Sequence, residues 1–312
     1  MTVQSEAHIP SSASDGTPPR VSVGMPAYNA APFVAAAIEA VLAQTFADFE
    51  LIVCDNASTD DTVAICERYT GLDSRVRLLR NGTNLGAHPN YRKAADAARG
   101  TYFKWASAND LIAANFLGEC VRTLDAHPDA VLAFGSTVLF EIDPALGTPY
   151  ADEMNLLDDD ALTRFRRCTE RLQLNNILNG VLRLDALRAI QPLADYRGAD
   201  NLLIAKLALL GKFIEVPQTQ FYRRMSAASA TRLQGAQAVH RHLYAGRSKG
   251  GFENWKLARG YLHAVISSRL PPGKRLAAFA YILRQTYWRA PDLAADVRDA
   301  FRSDKARDPH TE

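Results

Sequence analysis

The stretch VSVGMPAYNAAPFVAAAIEAVLAQTFADFELIVCDNASTDDT, Val21 to Thr62, decides how the rest of the chain is read. VSVGM is a short β-prone run that stops at Pro26. PFVAAAIEAVLAQ follows, with Phe33, Ala37 and Val41 at helical spacing and Pro32 suited to a first turn. ELIVCDN then returns to strand, apolar throughout as expected of a strand covered on both faces. Strand, helix and strand in that order form a βαβ unit, and the two strand tips, Pro26-Ala27-Tyr28-Asn29 and Asp55-Asn56, are polar or turn-forming.

Working outward, the alternation continues. STDDTVAICERY reads as a helix, with Ser58 and Asp61 spaced as an S-x-x-D capping box. VRLLRN is a third strand, NYRKAADAARG a helix closed by Gly100, and TYFKWAS a fourth strand. A helix is expected to start after Asp110, and AVLAFGSTVLF is a fifth strand. Repeated βαβ units imply an α/β fold with a mostly parallel sheet and helices on both faces. Ligands bind such sheets beyond the carboxyl ends of the strands, where three polar tips would meet: 26–29, 55–56 and 107–110. No G-x-G-x-x-G follows the first strand and no Walker-type loop is present, so neither a dinucleotide fold nor a P-loop is expected. The pattern weakens from 141 to 195, where Asp158-Asp159-Asp160 reads as the opening of a solvated helix. ADNLLIAKLALLG is a helix stopped by Gly211, and KFIEVPQTQFYRR is a further strand.

Bulk properties narrow the classes. The 312 residues are 47% hydrophobic and 22% charged, with a formal net charge of +2, which gives no reason to expect nucleic-acid binding. Cys54, Cys66, Cys120 and Cys168 show no metal-ligand spacing and read as buried thiols in a reducing compartment. The N-terminus lacks a basic region followed by an apolar run, and no uncharged apolar segment is long enough to span a membrane. A cytoplasmic protein is expected, with any membrane contact peripheral. Three regions follow: a tail at 1–19, an α/β domain at 20–231 and a C-terminal helical region at 232–312. In the last, Lys and Arg alternate with Trp255, Tyr261, Phe279, Tyr281, Tyr287 and Trp288. Such helices either lie on an anionic membrane surface or pack their aromatic faces on the α/β domain.

The residues from Val21 to Thr62 resemble the start of a family 2 glycosyltransferase with the GT-A fold. The resemblance rests on Pro26, Tyr28 and Asn29, on Gln44-Thr45-Phe46, and on Asp55, Ser58, Asp60 and Thr62. Asn84 to Gly86 and the A-R-G-x-Y-F pattern from Ala98 extend it, and it covers about residues 20–225. It implies inverting transfer from a nucleoside-diphosphate sugar, usually a uridine nucleotide, to a glycan or lipid-linked saccharide in cell-surface polysaccharide synthesis. Asp55 would accept a hydrogen bond from the base, and Pro26, Ala27 and Tyr28 would wall the base and ribose, with Asn29 and Asn84 in the same donor site. Ser107, Asn109 and Asp110 would handle the ribose and diphosphate.

The chain also departs from the pattern. Where the family carries D-x-D, often D-A-D-D, this sequence has Ser107-Ala108-Asn109-Asp110, so Asp110 alone remains to hold a divalent cation, Mn²⁺ or Mg²⁺. Arg92, Lys104, Arg223 and Arg224 are the candidate cations for the diphosphate if metal is absent. Tyr91 occupies a position where the family has arginine, with Arg92 next to it, and Met225 replaces a histidine. Asp200, some 90 residues past Asp110 and opening a helix, corresponds to the family's general base, with Ala199 in place of the usual glutamate. The losses also fit a non-catalytic protein that binds a nucleotide sugar or a partner transferase.

Overall fold

The computed structural model describes residues 17–225, 240, 242–246 and 251–305, with side chains up to 298. Strands β1 (Val21–Ala27), β2 (Phe49–Asp55), β3 (Val76–Arg80) and β4 (Tyr102–Trp105) are linked by helices α1 (Val34–Leu42), α2 (Thr62–Leu72) and α3 (Ala87–Asp96). The chain continues through β5 (Leu111–Ile112), α4 (Phe116–Ala126), β6 (Ala130–Phe140) and β7 (Thr148–Tyr150). Next come α5 (Ala161–Arg171), a 3-10 turn (Asn176–Asn179), β8 (Val181–Arg183), α6 (Leu184–Ala189), α7 (Ala199–Leu210) and β9 (Lys212–Arg224). Three more helices are described: α8 (Glu253–Ile266), α9 (Pro272–Trp288) and α10 (Ala290–Lys305).

The sheet runs β3-β2-β1-β4-β8-β6-β9-β5, with β7 on the outer part of β6. β3, β2, β1 and β4 are parallel, as are β6 and β9, while β8 enters antiparallel between β4 and β6. The expected α/β architecture with a mostly parallel sheet is therefore present.

Pattern explains these elements. β1 and β2 are buried at every position, which only a strand covered on both faces tolerates. α1 buries Val34, Ala37, Ile38 and Val41, an i, i+3, i+4, i+7 stripe. It begins at Val34, so Pro32 lies in the preceding turn. α3 packs against β1 at Gly24, where a Cβ would come within 2.9 Å of the Ala94 and Phe103 side chains. At the sheet's amino end, buried Glu50 accepts hydrogen bonds from Ser22, Arg77 and Arg99. Burial raises its carboxyl, but these three partners outweigh it and hold it below its ordinary range.

Two local expectations are corrected. No helix starts directly after Asp110. Leu111 and Ile112 pair antiparallel with Tyr222 and Phe221, and α4 begins only at Phe116. The Ser58/Asp61 capping box does not form either. Asp61 is the N-cap of α2 but makes no side-chain capping bond; Asp60, one residue earlier, accepts from the Thr62 N–H at 3.0 Å, and Ser58 Oγ turns to the Asn29 N–H. Asp160 does open a helix, accepting from the Leu162 N–H at 3.2 Å, and all four cysteines are free and buried. The C-terminal helices join the core: Val265, Leu270, Ala278, Tyr281 and Ile282 pack in one cluster with Phe165 of α5 and Phe213 of β9.

Candidate active site at the carboxyl edge of the sheet

The site is built first from the tips of β1 and β2. In the parallel register Ala27 lies opposite Asp55, and the Asn56 N–H donates to the Ala27 carbonyl at 2.9 Å. Beyond this, Asn29 enters the left-handed region with φ of 48°, which asparagine tolerates better than most residues. Its Oδ1 accepts from the Thr59 N–H at 2.8 Å, and its own N–H donates to Ser58 Oγ at 2.9 Å. The two loops are thereby stitched into one wall, from which Tyr28 projects 47% exposed. Asp55 sits at its base, 1% exposed. Its Oδ2 accepts from the Ser58 N–H at 3.1 Å, whereas Oδ1 is buried with no hydrogen-bond partner. A buried acceptor without a donor is costly, and a ligand N–H or O–H would relieve it.

Asparagines make the floor. Asn56 Nδ2 donates to Asn84 Oδ1 at 2.8 Å, and Asn84 Oδ1 also accepts from the Gly86 N–H at 2.9 Å. Asn81 Nδ2 donates to Asn56 Oδ1 and to Asn90 Oδ1. Asn84 thus fixes the loop entering α3. Arg92 lies on the exposed side of that helix.

The third tip follows β4. Asp110 Oδ1 accepts from the Arg224 N–H at 2.8 Å, and the Arg224 guanidinium donates to the carbonyls of Asn109, at 3.0 Å, and Glu141, at 2.9 Å. Arg224 also stacks over Phe140 and Phe33, so its charge clamps the loop. Burial pushes the Asp110 carboxyl up, against the opposing pull of the Arg224 N–H, Ser107, Arg223 and Lys104. Among the described residues no three His, Cys, Asp or Glu side chains cluster as a metal cage. A divalent cation here would have one protein carboxylate, Asp110, and would need the donor's own phosphate oxygens, a donor set that Mg²⁺ or Mn²⁺ accepts.

Asp200 occupies the first turn of α7, after Gly198 in the left-handed conformation. Its Oδ1 accepts from the Asn201 N–H at 2.9 Å and its Oδ2 from Asn175 Nδ2. The turn before it is buttressed from the C-terminal helices. Leu257 packs against Gly198, and Tyr196 donates to the Lys256 carbonyl at 3.1 Å.

The polar residues that sequence reasoning missed lie between 152 and 179. The Asn175–Asn179 segment bonds five side chains. Asn175 bonds Asp200. Asn176 accepts from Arg223 and donates to Asp152 at 2.8 Å. Asn179 Oδ1 accepts from Ser107 at 3.3 Å, and its carbonyl accepts from Lys104. Tyr91 is 38% exposed on α3, its ring 6.5 Å from that of Trp105; local burial and then the Asp110 carboxylate push its hydroxyl up. Burial likewise raises the Asp152 carboxyl. Three asparagines in LNNILNG, Leu174 to Gly180, were the available signal, because clustered amides hydrogen-bond without periodicity. Lys104 is 1% exposed, faces Phe116 at 4.6 Å, and burial brings its amine down to about 7. It lies beneath the loop and is not a surface charge.

Residues 22–165 match the family model described as Glycosyl transferase family 2. Among curated proteins, the UDP-Glc:alpha-D-GlcNAc-diphosphoundecaprenol beta-1,3-glucosyltransferase WfgD of Escherichia coli is 42% identical over 87 residues, 28% of this chain and 30% of WfgD. The putative glycosyltransferase EpsE of Bacillus subtilis is 34% identical over 110 residues, 35% of this chain and 40% of EpsE. The chain spans less than half the length of these relatives. The solved structure of S. aureus TarS 1-349 in complex with UDP-GlcNAc superposes with a TM-score of 0.64 at 17% identity, covering 85% of this chain and 71% of that one. At that identity the superposition establishes the fold, which is GT-A. Residues 22–165, just under half of the chain, therefore carry the glycosyl transferase family 2 pattern and are similar to bacterial glycosyltransferases.

Proposed function

We propose that the protein transfers a sugar from a nucleoside diphosphate, a UDP-sugar in the first instance, to a saccharide or lipid-linked acceptor in cell-surface polysaccharide synthesis. The observation that carries the donor reading is the unpartnered buried Asp55 Oδ1 at the β2 tip, beside the wall of Pro26, Ala27 and Tyr28. A pyrimidine ring N–H in the plane of that wall supplies the missing donor, and Asn29 holds the wall in place. The naming of WfgD, a glucosyltransferase acting on a diphosphoundecaprenol-linked sugar, supports an acceptor of the lipid-linked class.

In the proposed chemistry an acceptor hydroxyl attacks the anomeric carbon. The new C–O bond forms as the bond to the β-phosphate oxygen breaks, the electron pair leaves with the diphosphate, and the hydroxyl proton passes to the Asp200 carboxylate. Attack from the face opposite the leaving group inverts the anomeric centre. Asp110, with Ser107 and Asn109 beside it, holds the diphosphate end, and Arg223 supplies a positive field from the β9 tip. A divalent cation bound at Asp110 would neutralise charge developing on the leaving oxygen.

Calorimetric titration with UDP, GDP, dTDP and CMP, each with Mn²⁺, Mg²⁺ or excess chelator, tests the donor reading. UDP is expected to bind most tightly, and Asp55→Asn to weaken it about 10- to 100-fold by facing a ligand N–H with an amide N–H. Equal UDP binding by wild type and Asp55→Asn sinks this reading of the pocket. Donor binding with no diphosphate release in any acceptor mixture would favour the non-catalytic alternative raised by the replaced acids.

A further inference from the structure

Helix α9 has two opposite faces. Ala278, Tyr281 and Ile282 are buried, and Tyr281 shares a hydrogen bond with Thr169 of α5 at 2.7 Å. On the other side, Leu276 is 71% exposed, Leu283 62% and Tyr287 77%, at i, i+7 and i+11 with Ala280 between them. Trp288, also 62% exposed, ends the helix beside this stripe. Four large apolar side chains in water on one short helix call for a covering surface.

Charge selects what covers them. From Asn254 to Pro291 the sequence contains no Asp or Glu, whereas Arg269, Lys274, Arg275, Arg284 and Arg289 all fall on or beside α9. Lys274 is paired with Asp160, and Arg275 is bound to the Ser268 and Leu270 carbonyls. Arg269, Arg284 and Arg289 are exposed and make no ion pair with any described residue; Arg284 stacks over Trp288 at 5.0 Å. A second copy docked through a two-fold axis would oppose like charges across the stripe. An anionic lipid surface answers both features, accepting the apolar stripe among its acyl chains and the arginines among its headgroups, with Tyr287 and Trp288 at the interface.

We propose that α9 is a monotopic docking helix that seats the protein on an anionic lipid bilayer through Leu276, Leu283, Tyr287 and Trp288. Among the described residues no helix is long and apolar enough to cross a membrane, so the contact is one of lying on the surface. α9 packs on α8, whose Leu257 and Lys256 brace the turn before Asp200. If the acceptor is lipid-linked as proposed above, the same helices connect the docking face to the turn that carries Asp200. The docking itself requires neither nucleotide nor acceptor, so its failure leaves the donor reading standing.

Flotation of the full chain with vesicles of phosphatidylcholine containing 30% phosphatidylglycerol, against pure phosphatidylcholine, tests it. Three exposed arginines at about five-fold each predict a partition roughly 100-fold stronger on the anionic vesicles, falling several-fold in 0.5 M salt. Leu276→Gln with Leu283→Gln is expected to abolish it, and Arg269→Gln with Arg289→Gln to weaken it about 25-fold. Melting curves and UDP affinity of these variants should match wild type, because the altered side chains are solvent-exposed. Wild-type protein that stays with the soluble fraction, or variants that float as wild type does, overturns the proposal. Concentration-dependent dimerisation abolished by Leu276→Gln with Leu283→Gln would assign the stripe to a second copy and overturn it as well.

Discussion

The Asn175 carboxamide donates a hydrogen bond to Oδ2 of Asp200, across 25 residues of sequence, while its own Oδ1 is buried without a partner. A carboxylate can only accept, so this bond fixes which end of the amide faces Asp200. The free Oδ1 is then an acceptor beside the proposed base, suited to a sugar hydroxyl.

Asn175→Ala should therefore lower kcat about 10- to 100-fold with little change in KM for the donor, the pattern of a lost positioning contact. Asn175→Asp replaces the amide donor with a second carboxylate against Asp200 and should lower kcat at least as far. Diphosphate release compared with the melting curve of each variant separates this loss from a folding defect, which would lower both.

Asp110 and a divalent cation should act as one unit. In Mn²⁺, Asp110→Ala is expected to weaken UDP binding about 10- to 100-fold, and chelator should then have little further effect on the variant. Arg223→Met should cost about ten-fold whether or not chelator is present, because its field does not pass through the metal. Calorimetry on the two single variants and the double variant measures the coupling.

Lys104 makes stability depend on pH. Its amine is near 7 when folded, where burial lowers it, against 10.5 in the open chain. Between those values the unfolded chain holds a proton that the folded protein lacks, so stability rises with pH across the window. The contribution is complete above 10.5 and lost as pH falls through about 7. One proton gives at most about 1.4 kcal/mol per pH unit. Lys104→Met should flatten that slope in denaturant titrations at pH 7, 8 and 9.

Gly24→Ala should destabilise the fold by about 1–3 kcal/mol, since a Cβ 2.9 Å from Ala94 Cβ has no flexible neighbour to displace. A lower denaturation midpoint with an unchanged denaturant slope is the expected readout.

The sequence by itself determined the βαβ start, the position of Asp55 at a strand tip and of Asp200 in the first turn of a helix. These depend on local pattern: apolar runs, 3.6-residue stripes and helix boundaries act within a few residues of one another. Tertiary structure decided the rest. Arg224 holds Asp110 from 114 positions away, Arg223 meets Asn176 from 47, and the two-residue strand β5 exists only because β9 pairs with it. Lys104 reads as a surface charge until Phe116 and the Asn179 carbonyl enclose it. Amide turns and buried cations carry no periodicity, since each is stabilised by one distant partner. That is why the segment from 141 to 195, opaque as sequence, supplies Asn175 to Asp200, Asn176 to Arg223 and Asn179 to Ser107.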